Sequence, residues 1–351
     1  MKHHRVVVSR HGAPDVLQVV EEDLPEPEAG EVRVKVLAAG VSAFDLIYRR
    51  WGRLPGSPRV PFTLGEDVVG VVDKLGTGVS SLDRGQTVAG GTGFLAVGGG
   101  YAEYVCVPAS LLVPVPSGLD PAEAVCLVVN YLTAHQHLHQ IARVRSGERI
   151  LVHGAAGGVG TALLHLGKLA GLEMYGTASQ HNHELVSALG ATPIDYRTED
   201  FVERIRSLTS NGVDVVMDPI GGSRHLWRSY RTLGKGGRLV WLGSAAIKKQ
   251  GPRVGPLSLL MWGWIVPTLL LFLLKLIPDG KQVPSCPTLD KFAKAHNDWY
   301  RETLTELLDS LAAGRIKPVV AERIPLAEAA RAHELLEQSG QAGKVVLVTG
   351  A

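Results

Sequence analysis

The stretch Arg149-Ile-Leu-Val-His-Gly-Ala-Ala-Gly-Gly-Val-Gly160 decides the fold of this chain. It begins with the short apolar run of a buried strand, and residues 161–170 predict a helix directly after the glycines. Ala155, Gly157 and Gly160 occupy the three small-residue positions of a G-x-G-x-x-G turn. Small residues there permit a tight turn, a close approach to a pyrophosphate and close helix–strand packing. We therefore predict a dinucleotide-binding turn between a strand and a helix.

Further strand–helix units follow the turn. Strands are predicted at Glu173–Thr177, Val213–Asp218 and Gly237–Gly243, with helix-forming segments between them. Strands that alternate with helices at this spacing form a parallel, doubly wound sheet. The N-terminal part differs, because Val-rich runs broken by Gly and Pro extend from residue 5 to about 116 and predict a mostly β domain.

The C-terminal part departs from this alternation. The pattern predicts one helix from about Asp290 to Ala313, a strand over residues 316–324, and a second helix ending near Leu336. The closing strand, Lys344–Val348, does not follow the strand–helix spacing of the parallel sheet, so it is not a simple continuation of that sheet. We expect it to return to the first domain.

The composition favours a small-molecule partner inside the cell. Lys and Arg number 36, Asp and Glu number 34, and no dense basic run occurs, so nucleic-acid binding is not predicted. Cys106, Cys126 and Cys286 are spaced too widely for a disulfide framework or a paired-cysteine zinc site. The N-terminus predicts a strand rather than a signal peptide. We therefore predict a cytoplasmic protein.

The end of the second strand of the parallel sheet indicates which dinucleotide is bound. NAD-binding domains place an Asp or Glu there, which accepts hydrogen bonds from the ribose hydroxyls. This chain has Ser179 instead, followed by Gln-His-Asn and His183, with no acid and no Arg or Lys. These side chains can donate to a 2′-phosphate, which an acid would repel, so the pattern favours NADPH. The alternative is that Ser179 only caps the following helix.

An ordered series of motifs spans nearly the whole chain. It comprises Val41-Ser-Ala-Phe-Asp45, Pro61-Phe-Thr-Leu-Gly-Glu-Asp67, Gly99-Gly-Tyr-Ala-Glu103, Asn130-Tyr-Leu-Thr133, the glycine-rich turn, Leu189-Gly-Ala191, Ile194-Asp-Tyr196 and Gly343-Lys-Val-Val-Leu347. On these motifs the sequence resembles the medium-chain dehydrogenase/reductase superfamily, and within it the zinc-independent quinone oxidoreductase-like branch. The series is far more specific than any one of its members.

The resemblance implies an α/β protein of two domains. A GroES-like β domain would comprise residues 1–121 and 288–351, and a Rossmann domain with a doubly wound parallel sheet would comprise residues 122–287. It also implies a homodimer and a cleft that holds the nicotinamide. The expected cofactor-binding residues are Asn130, Thr133, Ala155, Gly157, Gly158, Val159, Gly160, Ser179, His183, Tyr196, Gly243 and Ser244.

The sequence lacks the zinc ligands of the zinc-dependent relatives. No cysteine precedes Cys106, and the segment that would contain the histidine ligand is Leu64-Gly-Glu-Asp67. We therefore predict no metal. His135, His137 and His139 form a possible metal-binding cluster, but no Asp, Glu or Cys lies near them in sequence, and packed or solvent-facing histidines are the alternative.

Without a Lewis acid, reduction of a double bond conjugated to a carbonyl is easier than interconversion of simple alcohols. Such a reduction needs a hydride and then a proton. Tyr131 is the first candidate for the proton donor, because it lies near Thr133 in sequence and a phenol can hydrogen-bond an enolate. Ser42 and Asp45, from the first motif of the series, are further catalytic candidates. The alternative for Tyr131 is a packed core residue.

Residues 257–277 form a long apolar stretch that contains Gly263, Pro267 and Lys275. A buried or subunit-facing role, a peripheral membrane contact and a membrane span are the alternatives. Two functions follow from these observations. The first is NADPH-dependent reduction of a hydrophobic enone, quinone or related carbonyl compound. The second is a noncatalytic nucleotide-binding protein that associates with membranes through residues 257–277.

Overall fold

The computed structural model describes residues 1–51, 59–92, 98–243, 261–338 and 340–350. The chain forms two compact units. Unit 1 comprises Met1–Leu132 with Thr288–Ala351, and unit 2 comprises Thr133–Pro287. The first predicted domain boundary, after residue 121, precedes the first boundary between the units.

The strands of unit 1 confirm the predicted β character of the N-terminal part. They are β1 (Lys2–Val8), β2 (Leu17–Asp23), β3 (Glu31–Gly40), β4 (Phe62–Thr63), β5 (Asp67–Leu75), β6 (Thr87–Gly91), β7 (Tyr104–Pro108), β8 (Leu112–Pro114), and, after the strands β9–β13 of unit 2, β14 (Val320–Pro325) and β15 (Lys344–Val348). One sheet has the order β14-β15-β3-β5-β6-β8, with β7 paired to β3, and a smaller sheet has the order β2-β1-β4.

The closing strand confirms the prediction that the chain returns to its first domain. Leu347 of β15 pairs antiparallel with Ala39 of β3, and both side chains are buried. Val34 and Val68, from the neighbouring strands β3 and β5, belong to the same core cluster as Leu347. The two ends of the chain therefore share one hydrophobic core.

The strands of unit 2 form the predicted parallel sheet. They are β9 (Arg149–His153), β10 (Glu173–Ala178), β11 (Ala191–Asp195), β12 (Val213–Asp218) and β13 (Leu233–Trp241). Their order is β11-β10-β9-β12-β13, and every neighbouring pair is parallel. In a doubly wound sheet the ligand site lies at the carboxyl ends of the strands.

The α-helices connect and cover these sheets. They are α1 (Ala43–Arg50), α2 (Pro121–Cys126), α3 (Leu132–His135), α4 (Gly158–Leu169), α5 (His183–Ala188), α6 (Phe201–Leu208), α7 (Ser223–Thr232), α8 (Val266–Leu274), α9 (Leu289–Ala295), α10 (Asn297–Ala312) and α11 (Ala329–Glu337). π-Helical segments are found at Leu127–Tyr131, Gln136–Ala142 and Met261–Ile265. Short 3₁₀ turns are Pro14–Val16, Ala109–Leu111, Gln180–Asn182 and Leu326–Glu328.

Two predicted elements of the C-terminal part differ from the structure. The helix expected over residues 290–313 is two helices, α9 and α10, because His296 between them leaves the helical region with φ −136° and ψ 62°. The strand expected over residues 316–324 is confined to Val320–Pro325. Both errors came from an apolar pattern that does not reveal local backbone breaks.

Candidate functional site

The glycine-rich turn has the predicted strand–turn–helix geometry. β9 ends at His153, Gly154 has a φ of 61°, and α4 begins at Gly158 with Gly157 as its N-cap residue. A Cβ atom at Gly160 would lie 2.2 Å from the carbonyl oxygen of Gly154. Only glycine therefore fits where the first turn of the helix passes the loop.

The start of α4 is suited to an anion. Gly157, Gly158 and Val159 are half-buried, whereas Ala155 and Gly160 are buried. The first N–H groups of a helix have no partner within the helix, and the dipole is positive at this end. The turn can therefore bind a phosphate group through backbone N–H groups.

A directed chain of hydrogen bonds starts at the turn. The Ser229 hydroxyl donates its one proton to Asp218 Oδ2 at 2.7 Å. Because it has no second proton, its oxygen accepts a hydrogen bond from His153 Nε2 at 3.1 Å. The hydrogen-bond pattern thus assigns the His153 proton to Nε2, and Nδ1 accepts from the Thr177 hydroxyl at 3.0 Å. Thr177 Oγ1 accepts the backbone N–H of Gly154 at 3.3 Å. We call these five residues the loop relay.

Two residues of the loop relay form a group of potential metal ligands with His225, which lies beside the relay. Ligand atoms of His153, Asp218 and His225 lie within 4.8 Å of one another. Burial lowers the pKa of His153 to about 3 and lowers that of His225 as well, so both rings are neutral at neutral pH. Asp218 Oδ1 accepts backbone N–H groups of Ile220 and Gly221, so the carboxylate is satisfied by hydrogen bonds. The prediction that the protein needs no metal stays a prediction.

The histidine cluster that the sequence suggested is divided in the structure. The rings of His135 and His139 have centroids 4.6 Å apart, whereas His137 Nδ1 lies 2.7 Å from the carbonyl oxygen of Thr133. Burial lowers the pKa of both His135 and His137 to about 4. In the described part of the chain no third ligand joins the pair of His135 and His139.

A pocket of about 440 Å³ lies where β10 and β11 end. Its lining residues are Gln180, His181, Asp195, Arg197 and Thr198. Arg197 is exposed, and its guanidinium lies 5.8 Å from the centre of the Tyr196 ring. Arg197 was not among the residues predicted from the sequence, although it directly follows the predicted Tyr196. The signal was its position at the end of the strand beside β10.

Ser179 and His183 lie beside this pocket in sequence but are less accessible. Ser179 is buried, and its hydroxyl is 3.4 Å from His181 Nε2. Its side chain makes no helix-capping hydrogen bond, so the capping alternative is not supported. His183 begins α5, and its Nε2 is buried without a hydrogen-bond partner among the described residues.

The residues expected near the nicotinamide have different environments. Asn130 and Tyr131 are buried in unit 1, at the end of a π-helical turn, and burial raises the pKa of Tyr131. Thr133 and Gly243 are half-buried in unit 2. Ser244 lies outside the described residues. Tyr131 is therefore a weaker acid than a free phenol.

Unit 1 contains a second polar site, which we call the carboxyl cluster. It comprises Ser42, Asp45, Glu66, Asp67 and Lys344. Ser42 is the N-cap of α1, and its backbone N–H donates to Asp45 Oδ2 at 2.7 Å in a capping box. The Ser42 hydroxyl donates to Glu66 at 3.0 Å. Lys344 Nζ donates to Asp67 Oδ2 at 2.7 Å, and both side chains are buried.

The carboxyl cluster explains two predicted residues and adds three that were missed. Ser42 and Asp45 were expected to be catalytic, and the structure gives both a role at the start of α1. Glu66, Asp67 and Lys344 were not predicted. Glu66 and Asp67 entered the sequence analysis as part of a family motif and of the segment that lacks a histidine ligand, and Lys344 belongs to a strand far along the chain. No local pattern could reveal their proximity.

The apolar stretch is described from Met261 onward. Leu271 and Leu274 of α8 are buried in the core of unit 2. The opposite side chains are exposed: Ile265 46%, Leu269 56%, Phe272 59%, Leu273 52% and Leu276 65%. Among the described residues, no helix combines the length and the hydrophobicity that crossing a membrane requires. Residues 257–260 lie outside the described residues.

Known proteins are similar to this chain over nearly its whole length. The family model described as "Zinc-binding dehydrogenase" matches residues 189–347, and the model described as "Alcohol dehydrogenase GroES-like domain" matches residues 28–117. The quinone oxidoreductase of Rattus norvegicus is 30% identical over 97% of this chain and 96% of its own length. The synaptic vesicle membrane protein VAT-1 homolog of the same organism is 33% identical over 93% of this chain and 78% of its own length.

Solved structures agree in fold. The quinone oxidoreductase of Escherichia coli complexed with NADPH has a TM-score of 0.82 and 29% identity, and it covers 98% of this chain and 99% of its own. The mycobacterial protein Rv1454c complexed with NADPH has a TM-score of 0.81 and 30% identity, with 99% of each chain covered. The predicted combination of a GroES-like domain and a Rossmann domain is confirmed.

Proposed function

The chain belongs to the quinone oxidoreductase-like branch of the medium-chain dehydrogenase/reductase superfamily, and on this basis we propose that it transfers hydride from NADPH to a hydrophobic enone, quinone or related carbonyl compound without zinc. It is an oxidoreductase, and NADPH is its cofactor. The observation that supports this most directly is the glycine-rich turn, with a pocket that contains Arg197 at the same edge of the sheet.

The proposed cofactor position follows the strand ends of unit 2. The pyrophosphate would bind the N–H groups of residues 158–160 at the start of α4. The adenosine 2′-phosphate would occupy the pocket, where Arg197 supplies a permanent charge and Gln180 and His181 supply further donors. The Asp195 carboxylate accepts the Arg197 backbone N–H at 3.0 Å, so part of its charge is already engaged.

The proposed nicotinamide end involves Asn130, Thr133, Gly243 and Ser244. These assignments rest on the family resemblance. NADPH supplies the hydride, and the residues of the protein orient the reacting carbon and exclude water.

Zinc independence is part of this proposal. Catalytic zinc needs three protein ligands of the Cys, His or carboxylate type. Cys106 is the first cysteine of the chain, and the segment in which the zinc-dependent relatives would have their histidine ligand contains no histidine. Within that segment, the carboxylate of Asp67 accepts a hydrogen bond from Lys344.

We also propose a homodimer, which light scattering would test. A peripheral membrane contact through residues 257–277 is supported by the exposed side chains of α8, and flotation with lipid vesicles would test it. The noncatalytic membrane-bound alternative is not favoured, because the chain is an oxidoreductase.

The decisive experiment is oxidation of NADPH by the metal-stripped protein with a panel of quinones and of aliphatic and aromatic enones. NADH is assayed in parallel. We expect turnover that prefers NADPH and survives chelation. Cofactor binding without turnover on any compound would contradict the proposed reaction, and loss of turnover on chelation would contradict zinc independence.

A further inference from the structure

Unit 2 brings two histidines and an aspartate together. His153 ends β9 and Asp218 ends β12, and these two strands are neighbours in the parallel sheet. His225 lies in the first turn of α7, which follows β12 along the chain. One ligand atom from each residue lies within 4.8 Å of the other two. We call these three residues the ligand triad.

The buried Asp218 carboxylate has no cationic partner among the described residues. Its Oδ1 accepts the backbone N–H groups of Ile220 at 2.9 Å and Gly221 at 3.0 Å, and its Oδ2 accepts the Ser229 hydroxyl at 2.7 Å. A carboxylate oxygen has two lone-pair directions, so Oδ2 can bind one further group. The nearby His225 ring is neutral, because burial lowers its pKa. Buried charges are normally paired or bound to a metal.

His225 presents a ring nitrogen towards this oxygen. Its Nε2 is buried and has no hydrogen-bond partner among the described residues. It lies 3.5 Å from Asp218 Oδ2. The ligand atoms of a tetrahedral zinc ion lie about 3.3 Å apart. The carboxylate oxygen and the ring nitrogen therefore already have nearly the separation that a metal ion requires.

His153 can supply the third ligand atom. Its ring lies edge to face with that of His225, with centroids 4.5 Å apart, and its Nε2 is 3.1 Å from the Ser229 hydroxyl oxygen. A metal ion binds the lone pair of a neutral imidazole, so the His153 proton must move from Nε2 to Nδ1. Nδ1 lies 3.0 Å from the Thr177 hydroxyl, which can accept that proton in a hydrogen bond.

The surroundings of the ligand triad admit a cation. Arg228 is the nearby positive charge, but its guanidinium pairs with Asp200 at 2.9 Å and lies 4.5 Å from the centre of the Phe201 ring. The His225 side chain is 26% exposed, whereas that of Asp218 is fully buried. An ion can therefore enter from the side of His225, and a water molecule can reach it there.

From this arrangement we propose that His153 Nε2, Asp218 Oδ2 and His225 Nε2 bind a divalent transition-metal ion such as Zn²⁺, with water as the fourth ligand. Two imidazoles and one carboxylate suit such an ion, whereas Ca²⁺ and Mg²⁺ prefer oxygen ligands. The ion joins the ends of β9 and β12 to α7, and it stabilises unit 2 because it binds only the folded state. The proposed hydride transfer does not use this ion.

The first measurement titrates the metal-stripped, unaltered protein with Co²⁺ in the absence of NADPH. Tetrahedral Co²⁺ absorbs visible light more strongly than aqueous Co²⁺, so its spectrum reports the geometry of the site. We expect these bands to saturate at one ion per chain and to disappear when Zn²⁺ displaces Co²⁺. Nitrogen-15 NMR of the histidine rings should show that the His153 proton moves from Nε2 to Nδ1 when Zn²⁺ binds.

The second measurement compares two variants by calorimetric titration with Zn²⁺. His225→Phe retains an aromatic ring beside His153 and Phe201 but has no ligand atom. The matched control is His139→Phe, at a half-buried histidine of unit 2 whose ring lies against His135. We expect Zn²⁺ affinity to fall by at least about 100-fold in His225→Phe, since loss of an outer-shell partner alone costs about 10–100-fold. His139→Phe should match the unaltered protein.

Two results would overturn the proposed site. One is a Co²⁺ spectrum like that of the aqueous ion, together with a His153 ring whose proton stays on Nε2. The other is Zn²⁺ binding that survives in His225→Phe and is lost in His139→Phe, which would assign the ion to the pair of His135 and His139. If His225→Phe does not fold, the spectra of the unaltered protein decide. No cofactor or substrate is present, so neither result bears on the proposed reaction.

Discussion

The loop relay of unit 2 and the carboxyl cluster of unit 1 are both buried polar sites, but they balance charge differently. In the relay, the Asp218 carboxylate accepts the Ser229 hydroxyl and two backbone N–H groups, and the histidines beside it are neutral. In the cluster, three carboxyl groups face one ammonium group, and the pKa of Glu66 rises to about 8. The first arrangement fixes geometry, and the second retains a proton.

The comparison shows how the number of hydrogen-bond donors around a buried carboxylate changes its behaviour. Satisfied hydrogen bonds hold the groups of the relay in fixed directions, as a turn that binds a phosphate through backbone N–H groups requires. A buried carboxyl group with few donors instead keeps its proton, because uncompensated burial raises its pKa. The variants below test this difference and the roles proposed for the residues around the turn.

The largest effect is expected from Gly160→Val, which tests the rigidity of the turn. The new Cβ would lie 2.2 Å from the Gly154 carbonyl oxygen, a distance that only movement of the loop or helix can relieve. We expect NADPH affinity to fall by more than about 100-fold, or about 3 kcal/mol. Fluorescence titration measures it. Gly157→Ala is the control for folding, because its Cβ would meet nothing closer than 3.4 Å.

Ser229→Ala should have the next largest effect, and on stability. It removes the hydroxyl that donates to Asp218 Oδ2 and accepts from His153 Nε2–H in a buried site, which costs about 2–4 kcal/mol. Urea denaturation measures the loss of unfolding free energy. Ser207→Ala, at an exposed position of α6, is the matched control and should change stability by less than about 0.5 kcal/mol. Equal stability of the two variants would show that the relay is not a unit.

The same comparison explains how much the sequence could predict. The turn from His153 to Gly160 is continuous, and its small residues follow from backbone geometry, so both the fold and the cofactor loop were predicted. The carboxyl cluster joins residues 42–45, 66–67 and 344, which only the paired strands β3, β5 and β15 bring together. Arg197 was missed for a related reason, because its role depends on the pairing of β10 with β11.

Arg197→Ala should have a smaller effect. It tests whether the pocket contributes a positive charge to cofactor binding, whereas the relay contributes a fixed geometry. Loss of one charge-assisted contact to a 2′-phosphate should weaken NADPH binding about 10-fold, or about 1.4 kcal/mol. NADH lacks that phosphate, so its affinity should be unchanged. Arg206→Ala, an exposed arginine of α6, is the control. An equal loss for both cofactors would contradict the assignment of the pocket to the 2′-phosphate.

Tyr131→Phe should have the smallest effect, and it tests the proton donor that the sequence predicts. Tyr131 is 1% exposed, and burial raises its pKa, so the phenol holds its proton more tightly than an acid catalyst should. We expect kcat for an enone to fall less than about 3-fold, or about 0.7 kcal/mol. A fall of about 100-fold with unchanged NADPH affinity would instead assign the proton to Tyr131.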